Sequence, residues 1–181
     1  MSDSSGQIAA LAQRVQWLED EREILRAIER YGHSIDYGLE DEWVDCFTVD
    51  GIYDLRIRVM PPALGEAFPY AQVDEGGIRF QGREMLKAFI SIHTRPPTAW
   101  HKHVVVDQVV SRDGDPDLAR ATNYFFRIDE IDGQRIIVAF GRYIDLLTRC
   151  PDSRWRFIER VVELESNAIA GPGDDRRMVE P

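Results

Sequence analysis

Four strand-like runs fill the second half of the chain and set most of what it can fold into. They are His101 to Ser111, Ala119 to Ile131, Gln134 to Thr148 and Trp155 to Ser166, with the hairpin signal Asp132-Gly133 between the second and third. Long neighbouring strands joined by short connections pair antiparallel. Placed after a helical first half, they predict an α+β architecture. A strongly curved, mainly antiparallel sheet wrapped over two or three helices leaves a cavity between the layers, and ligand sites favour such concave places.

The helical half is read from its spacing. From Gln7 to about Tyr37, Ile8, Leu11, Val15 and Leu18, then Ile24, Ile28, Tyr31 and Ile35, recur at steps of three and four, with the charged patch EDERE as a possible kink or break. Gly38 is a stop signal. Asp41 to Thr48 reads as a short helix with Trp43 and Phe47 on one face, Val49-Asp50-Gly51 as a turn, and Ile52 to Val59 as a strand. Met60 to Gly77, rich in Pro, Gly and Ala, reads as a lid or binding loop, and Arg83 to Ile92 as a helix. The expectation is a single domain over 1–166, with a loose end at 1–6 and a tail or subunit-bridging arm at 167–181.

Composition removes several classes. A formal net charge of −10 and a pI of about 4.9 oppose nucleic acid and anionic membranes, which need clustered basic charge. The longest uncharged apolar run is far short of the ~20 residues needed to span a bilayer. The start, MSDSSGQIAALAQRV, lacks the regions of a signal peptide. Cys46 and Cys150 form no CxxC and no His/Cys cluster, which points to free thiols in a reducing cytoplasm and no zinc site.

Asp36 is the first residue that suggests chemistry. At the tail of a helix the backbone carbonyls already carry partial negative charge, so a carboxylate there either points into water or serves a pocket. Tyr31 lies ~140° round the helix and ~7.5 Å along it, so both could border one cavity mouth. In WHKHVVVDQVV, His101 and His103 share a strand face while Lys102 points away. A histidine there is either a satisfied core residue or a base. A carboxylate partner makes it the better proton acceptor, by fixing its tautomer and stabilising the imidazolium. Asp36 and His103 are thus a candidate dyad. A metal needs three or more ligands, and with no third in view none is expected. Arg160, if inward, would stabilise an anionic leaving group or oxyanion. Alternation from Trp155 does not settle its direction, because Ile158 and Val162 share its face. Trp43, Phe47, Tyr53, His101, Asn123 and Tyr143 are the residues expected to line the substrate cavity. His33 reads as a favourable cation near the helix terminus. No GxSxG, GxGxxG or GxxxxGK(S/T) is present, so neither a serine nucleophile nor a nucleotide is implied.

The order of these segments resembles the SnoaL-like branch of the NTF2-like superfamily. The resemblance is carried by IERYGHSIDYGLEDEWVDCFTVDGIYD, then RFQGREMLKAF, WHKHVVVDQVVSRDGD and SRWRFIERVVEL, over roughly residues 20 to 166. It implies a cone-shaped α+β barrel. Among that branch's enzymes the chain is similar to scytalone dehydratase, bile acid 7α-dehydratase and hexachlorocyclohexane dehydrochlorinase. It matches their helix-end Asp at Asp36 and strand His at His103, with the tyrosine of the second at Tyr31 and the arginine of the third at Arg160. It departs from them at Ile35, where scytalone dehydratase has a tyrosine, and at Asp107, where an Asn is common. The resemblance implies a cofactor-independent lyase that eliminates water, halide or a one-carbon aldehyde from a small hydrophobic, aromatic or alicyclic compound, as in aromatic compound catabolism. It also implies a homotrimer or homodimer. A ketosteroid-isomerase-like enzyme, an epoxide hydrolase and the non-catalytic small subunit of a ring-hydroxylating dioxygenase are the alternatives on the same scaffold.

Overall fold

The computed structural model describes residues 3–57, 78–93 and 100–165. In chain order the elements are α1 (Asp3–Asp36), α2 (Glu40–Asp45), β1 (Phe47–Ile57), β2 (Ile78–Gln81), α3 (Gly82–Ser91), β3 (His101–Asp113), β4 (Asp115–Ile131), β5 (Gln134–Arg149) and β6 (Trp155–Leu164). The six strands form one sheet in the order β2-β1-β6-β5-β4-β3, antiparallel throughout except for the parallel β1–β6 pair. The helices pack on this curved sheet to give the cone expected. The sheet is open, however, with β2 and β3 as its edges among the described residues.

Several local expectations are corrected. α1 is one uninterrupted helix that begins at Asp3, inside the stretch read as a loose end. Asp and Ser are residues that favour a helix start, and Asp3-Ser4-Ser5 supplies them. EDERE does not break the helix, because Asp20 is held by Arg149 at 2.7 Å and is not shed into solvent. Val49-Asp50-Gly51 lies within β1, where Phe47 pairs with Phe157 and Ile52 already with Glu159. The turn expected there is therefore a bulge. The short strand β2 was not anticipated. The proposed lid at 60–77 and the arm at 167–181 lie outside the described residues.

The core forms between the C-terminal half of α1 and the sheet. Ile24, Ile28, Tyr31 and Ile35 meet Trp43, Phe47, Leu86, Tyr143, Leu147 and Phe157, all essentially buried. Full burial of one such side chain contributes about 1.5–3 kcal/mol. The N-terminal half of α1 continues the apolar spacing without a partner among the described residues. Ile8, Leu11, Val15 and Leu18 remain 53–68% exposed.

Candidate active site

Helix α1 ends so as to aim Asp36 at the sheet edge. Gly38 adopts a left-handed φ of 67°, and Leu39 N–H donates to Ser34 C=O at 2.9 Å, closing the helix one residue after Tyr37. Asp36 is buried, and its carboxylate reaches β3, the terminal strand. His103 backbone N–H donates to Oδ1 at 3.0 Å and Oδ2 at 3.1 Å, and His103 Nδ1 lies 2.7 Å from Oδ1. The expected Asp36–His103 dyad is formed. With the carboxylate accepting the Nδ1 proton, Nε2 keeps its lone pair.

His101 sits on the same face, buried, with Nε2 3.7 Å from Asp36 Oδ1. A third imidazole joins them. His93, just past the end of α3, has its ring centroid 5.2 Å from that of His101 and 5.7 Å from that of His103. Sequence reasoning missed His93, since nothing in its spacing from His101 says that the helix end turns its ring toward β3. Burial pushes His93 down to about 3, helped by His103, Arg127 and His101, and burial likewise lowers His101. Both are neutral at ordinary pH. Arg127, paired with His103 across the β3–β4 ladder, has its charge met by Asp129 at 2.8 and 2.9 Å.

A second cluster surrounds Arg160, which faces inward and is fully buried. Its Nε and Nη2 donate to the two oxygens of Asp145, each at 2.7 Å, and Asn123 donates to the same carboxylate at 2.9 Å. The guanidinium lies 4.1 Å from the Tyr31 ring centre, 4.3 Å from Tyr143 and 4.0 Å from Phe157. Its Nη1 is buried without a partner. Burial works against the Arg160 charge, but Asp145 and the two tyrosines more than offset it, and its pKa is raised. Asp145 was also missed, although it alternates with the inward Tyr143 and Leu147 on β5 and could have been found by parity. Burial, and then Tyr143, push the Tyr31 phenol far above its ordinary range, so it stays protonated, with Tyr53 as its hydrogen-bond neighbour.

The two clusters meet through Phe89, whose ring centre is 4.6 Å from Tyr53 and 6.1 Å from His93. Of the residues expected to line a cavity, Trp43, Phe47, Tyr53 and Tyr143 pack into the core, and Asn123 is committed to Asp145. A groove of about 290 Å³ opens elsewhere, between α1 and the free edge of β3. Gly32, Asp36 and Tyr37 line one side and His103, Val105 and Gln108 the other, so both dyad residues border it, while His93 and His101 do not. Asp36 is bound to His103 and Asp145 to Arg160. The two carboxylates therefore do not share the arginine as an epoxide hydrolase's Asp-Arg-Asp set would require.

A SnoaL-like domain model matches residues 16–161, most of the chain and all of the machinery above. The chain belongs to the SnoaL-like family. Solved structures agree on the fold. An NTF2-like protein with a cystatin-like fold from Novosphingobium aromaticivorans is 23% identical, with 94% of this chain and 95% of that one covered and a TM-score of 0.71. A protein of unknown function from Mycobacterium tuberculosis is 22% identical over 88% of this chain and 78% of its own, with a TM-score of 0.64. A protein assigned as the beta subunit of an aromatic-ring-hydroxylating dioxygenase, also from N. aromaticivorans, is 19% identical over 88% and 95%, with a TM-score of 0.67. No curated protein gives a significant match. No helix among the described residues is long and apolar enough to cross a membrane.

Proposed function

We propose that this SnoaL-like protein is a lyase in which His103, oriented by Asp36, is the general base. The observation that carries the reading is the 2.7 Å Asp36 Oδ1 to His103 Nδ1 contact on a carboxylate that also accepts the His103 backbone N–H. That double hold fixes the tautomer and leaves Nε2 to take a proton from carbon or a hydroxyl of the substrate. From a C–H bond, the electron pair released expels halide, or hydroxide that takes a proton from the His103 imidazolium and leaves as water; from a hydroxyl, it breaks the adjoining carbon–carbon bond and frees a one-carbon aldehyde. Arg160, whose Nη1 is unpartnered among the described residues, and the protonated Tyr31 phenol are the groups assigned to stabilise the departing group, although both lie in the packed core and not on the groove. Val104 and Val105, which border the groove beside the dyad, suit a small hydrophobic, aromatic or alicyclic substrate. A homodimer or homotrimer in a reducing cytoplasm completes the proposal, and the two free thiols are consistent with that compartment.

Purified protein is assayed against hydroxylated and halogenated ring compounds for release of water or halide. His103→Ala should lose about 10²- to 10⁴-fold in rate. Near-full activity in a folded His103→Ala protein would sink the mechanism. The second reading, a non-catalytic subunit, is favoured by the likeness to the dioxygenase beta subunit. It requires a large iron-containing partner chain, so co-purification with one, and inactivity alone, would select it.

A further inference from the structure

Three imidazoles, that of His103 among them, converge at the dyad, and three of their six nitrogens are buried with no hydrogen-bond partner among the described residues. One ring nitrogen from each of His93, His101 and His103 lies within 4.8 Å of the others. His101 is 2% exposed, with neither Nδ1 nor Nε2 hydrogen-bonded, and His93 Nε2 is likewise buried and unpartnered. Leaving such a group unsatisfied costs about 1–3 kcal/mol. Three orphaned nitrogens in one place call for an occupant, and hydrogen bonds among the described residues do not supply it.

We infer that His93, His101 and His103 form a three-imidazole site for a divalent first-row cation, zinc above all, with the fourth position open. Neutral imidazole is the required ligand form, and three protein nitrogens with one exchangeable position is a zinc arrangement. Zinc–nitrogen bonds of about 2.0–2.1 Å in a tetrahedron place the nitrogens about 3.4 Å apart. The cluster must therefore contract by at most about 1.4 Å from its 4.8 Å limit, which rotation of the rings can supply. Asp36 completes the pattern from outside. It holds His103 Nδ1 at 2.7 Å, so Nε2 is the nitrogen turned to the metal, in a carboxylate–histidine–metal relay. The nearby Arg127 charge is met by Asp129, and the chain as a whole carries −10.

This site goes beyond the lyase reading and competes with it, because both use Nε2 of His103. The full-length protein is stripped with a chelator and titrated with Co²⁺, followed by its visible d–d bands, and with Zn²⁺ by calorimetry, no substrate being present. The expected result is one ion per chain with the intense bands of four-coordinate Co²⁺. Asp36→Asn should weaken binding by about 10- to 100-fold. His93→Ala and His101→Ala should each weaken it at least as much, while His33→Ala binds as the unmodified protein does. Absence of saturable binding by the unmodified protein would overturn the inference, whatever the variants do. So would wild-type affinity in a His93→Ala/His101→Ala double variant. The two readings are separated by assaying the metal-free protein: activity there that is lost in His103→Ala speaks for the base, whereas the titrations without substrate speak only for the site.

Discussion

Asp145→Asn should be among the most damaging single-atom-scale changes available in this chain. Both side chains of the Asp145–Arg160 pair are fully inaccessible, and three aromatic rings enclose the guanidinium. The substitution keeps the shape but removes the charge, leaving Arg160 as an uncompensated buried cation. It also turns an amide donor either toward Arg160 Nε, which now donates to Oδ1, or toward Arg160 Nη2 and Asn123 Nδ2 together, which now share Oδ2. At an effective dielectric of about 20, opposite charges about 4 Å apart attract by about 4 kcal/mol. Breaking one partner of a buried pair typically costs about 3–5 kcal/mol. Against a total stability of about 5–15 kcal/mol, that is a large share. Urea melts at fixed protein concentration should show a midpoint lowered by roughly 1–2.5 M with an unchanged slope, taking a slope of about 2–3 kcal/mol per M. The companion Asp145→Leu/Arg160→Met removes both charges and should recover most of the loss, since apolar replacement of a whole buried pair is often near neutral. A loss below about 1 kcal/mol in Asp145→Asn would refute the reasoning, because it would mean that water reaches the guanidinium and shares its charge.

Other outcomes follow from the same physics. Burial pushes the Cys46 thiol up to about 11, and it is 1% exposed, whereas Cys150 is half-buried. One thiol per chain should react with an aromatic disulfide at pH 8, and the second only on unfolding; two fast thiols would contradict the packing of α2. A Cβ at Gly141 would sit 1.9 Å from the Glu163 carbonyl oxygen of the adjoining strand, so Gly141→Ala should lower stability by about 1–3 kcal/mol or more in thermal melts. If the exposed stripe of Ile8, Leu11, Val15 and Leu18 is covered by a second copy, Leu11→Glu with Leu18→Glu should yield a lighter species in sedimentation velocity. An unchanged sedimentation coefficient would remove α1 from the subunit contact.

What could be read in advance depended on whether the signal was local. Helix α1, its stop at Gly38 and the pairing of His101 with His103 on one face all follow from spacing, and the structure has them. Arg160 shows where spacing fails. Phe157 pairs with Leu147 and Glu159 with Leu146, so Ile158 is an extra residue in β6. That bulge reverses the alternation, which is why Phe157 and Arg160, of opposite parity, both face the same buried ring cluster. β6 is also an inner strand between β1 and β5, with buried residues on both faces, so polarity could not flag the shift. His93 was illegible for a different reason. Its approach to His101 and His103 is made by the packing of α3 on β1, which is not written in a local pattern.

The oddity of an acid at a helix C-terminus can now be weighed. Placing a carboxylate there is unfavourable by about 0.3–1 kcal/mol. Hydrogen bonds to a charged group contribute about 1.5–3 kcal/mol each, and Asp36 makes them to the backbone N–H and to Nδ1 of His103. The gain exceeds the penalty, so the arrangement is stable without appeal to function. Part of it is structural: β3 is a sheet edge, and the carboxylate satisfies an edge N–H that β4 does not. Any residue at 103 would offer that N–H, however. The imidazole adds nothing the edge needs, and it brings into a buried place a nitrogen that only a proton, a substrate or a metal can use. That surplus separates a capped strand from a site, and it is why the variant that keeps the N–H and deletes the ring, His103→Ala, is the decisive one.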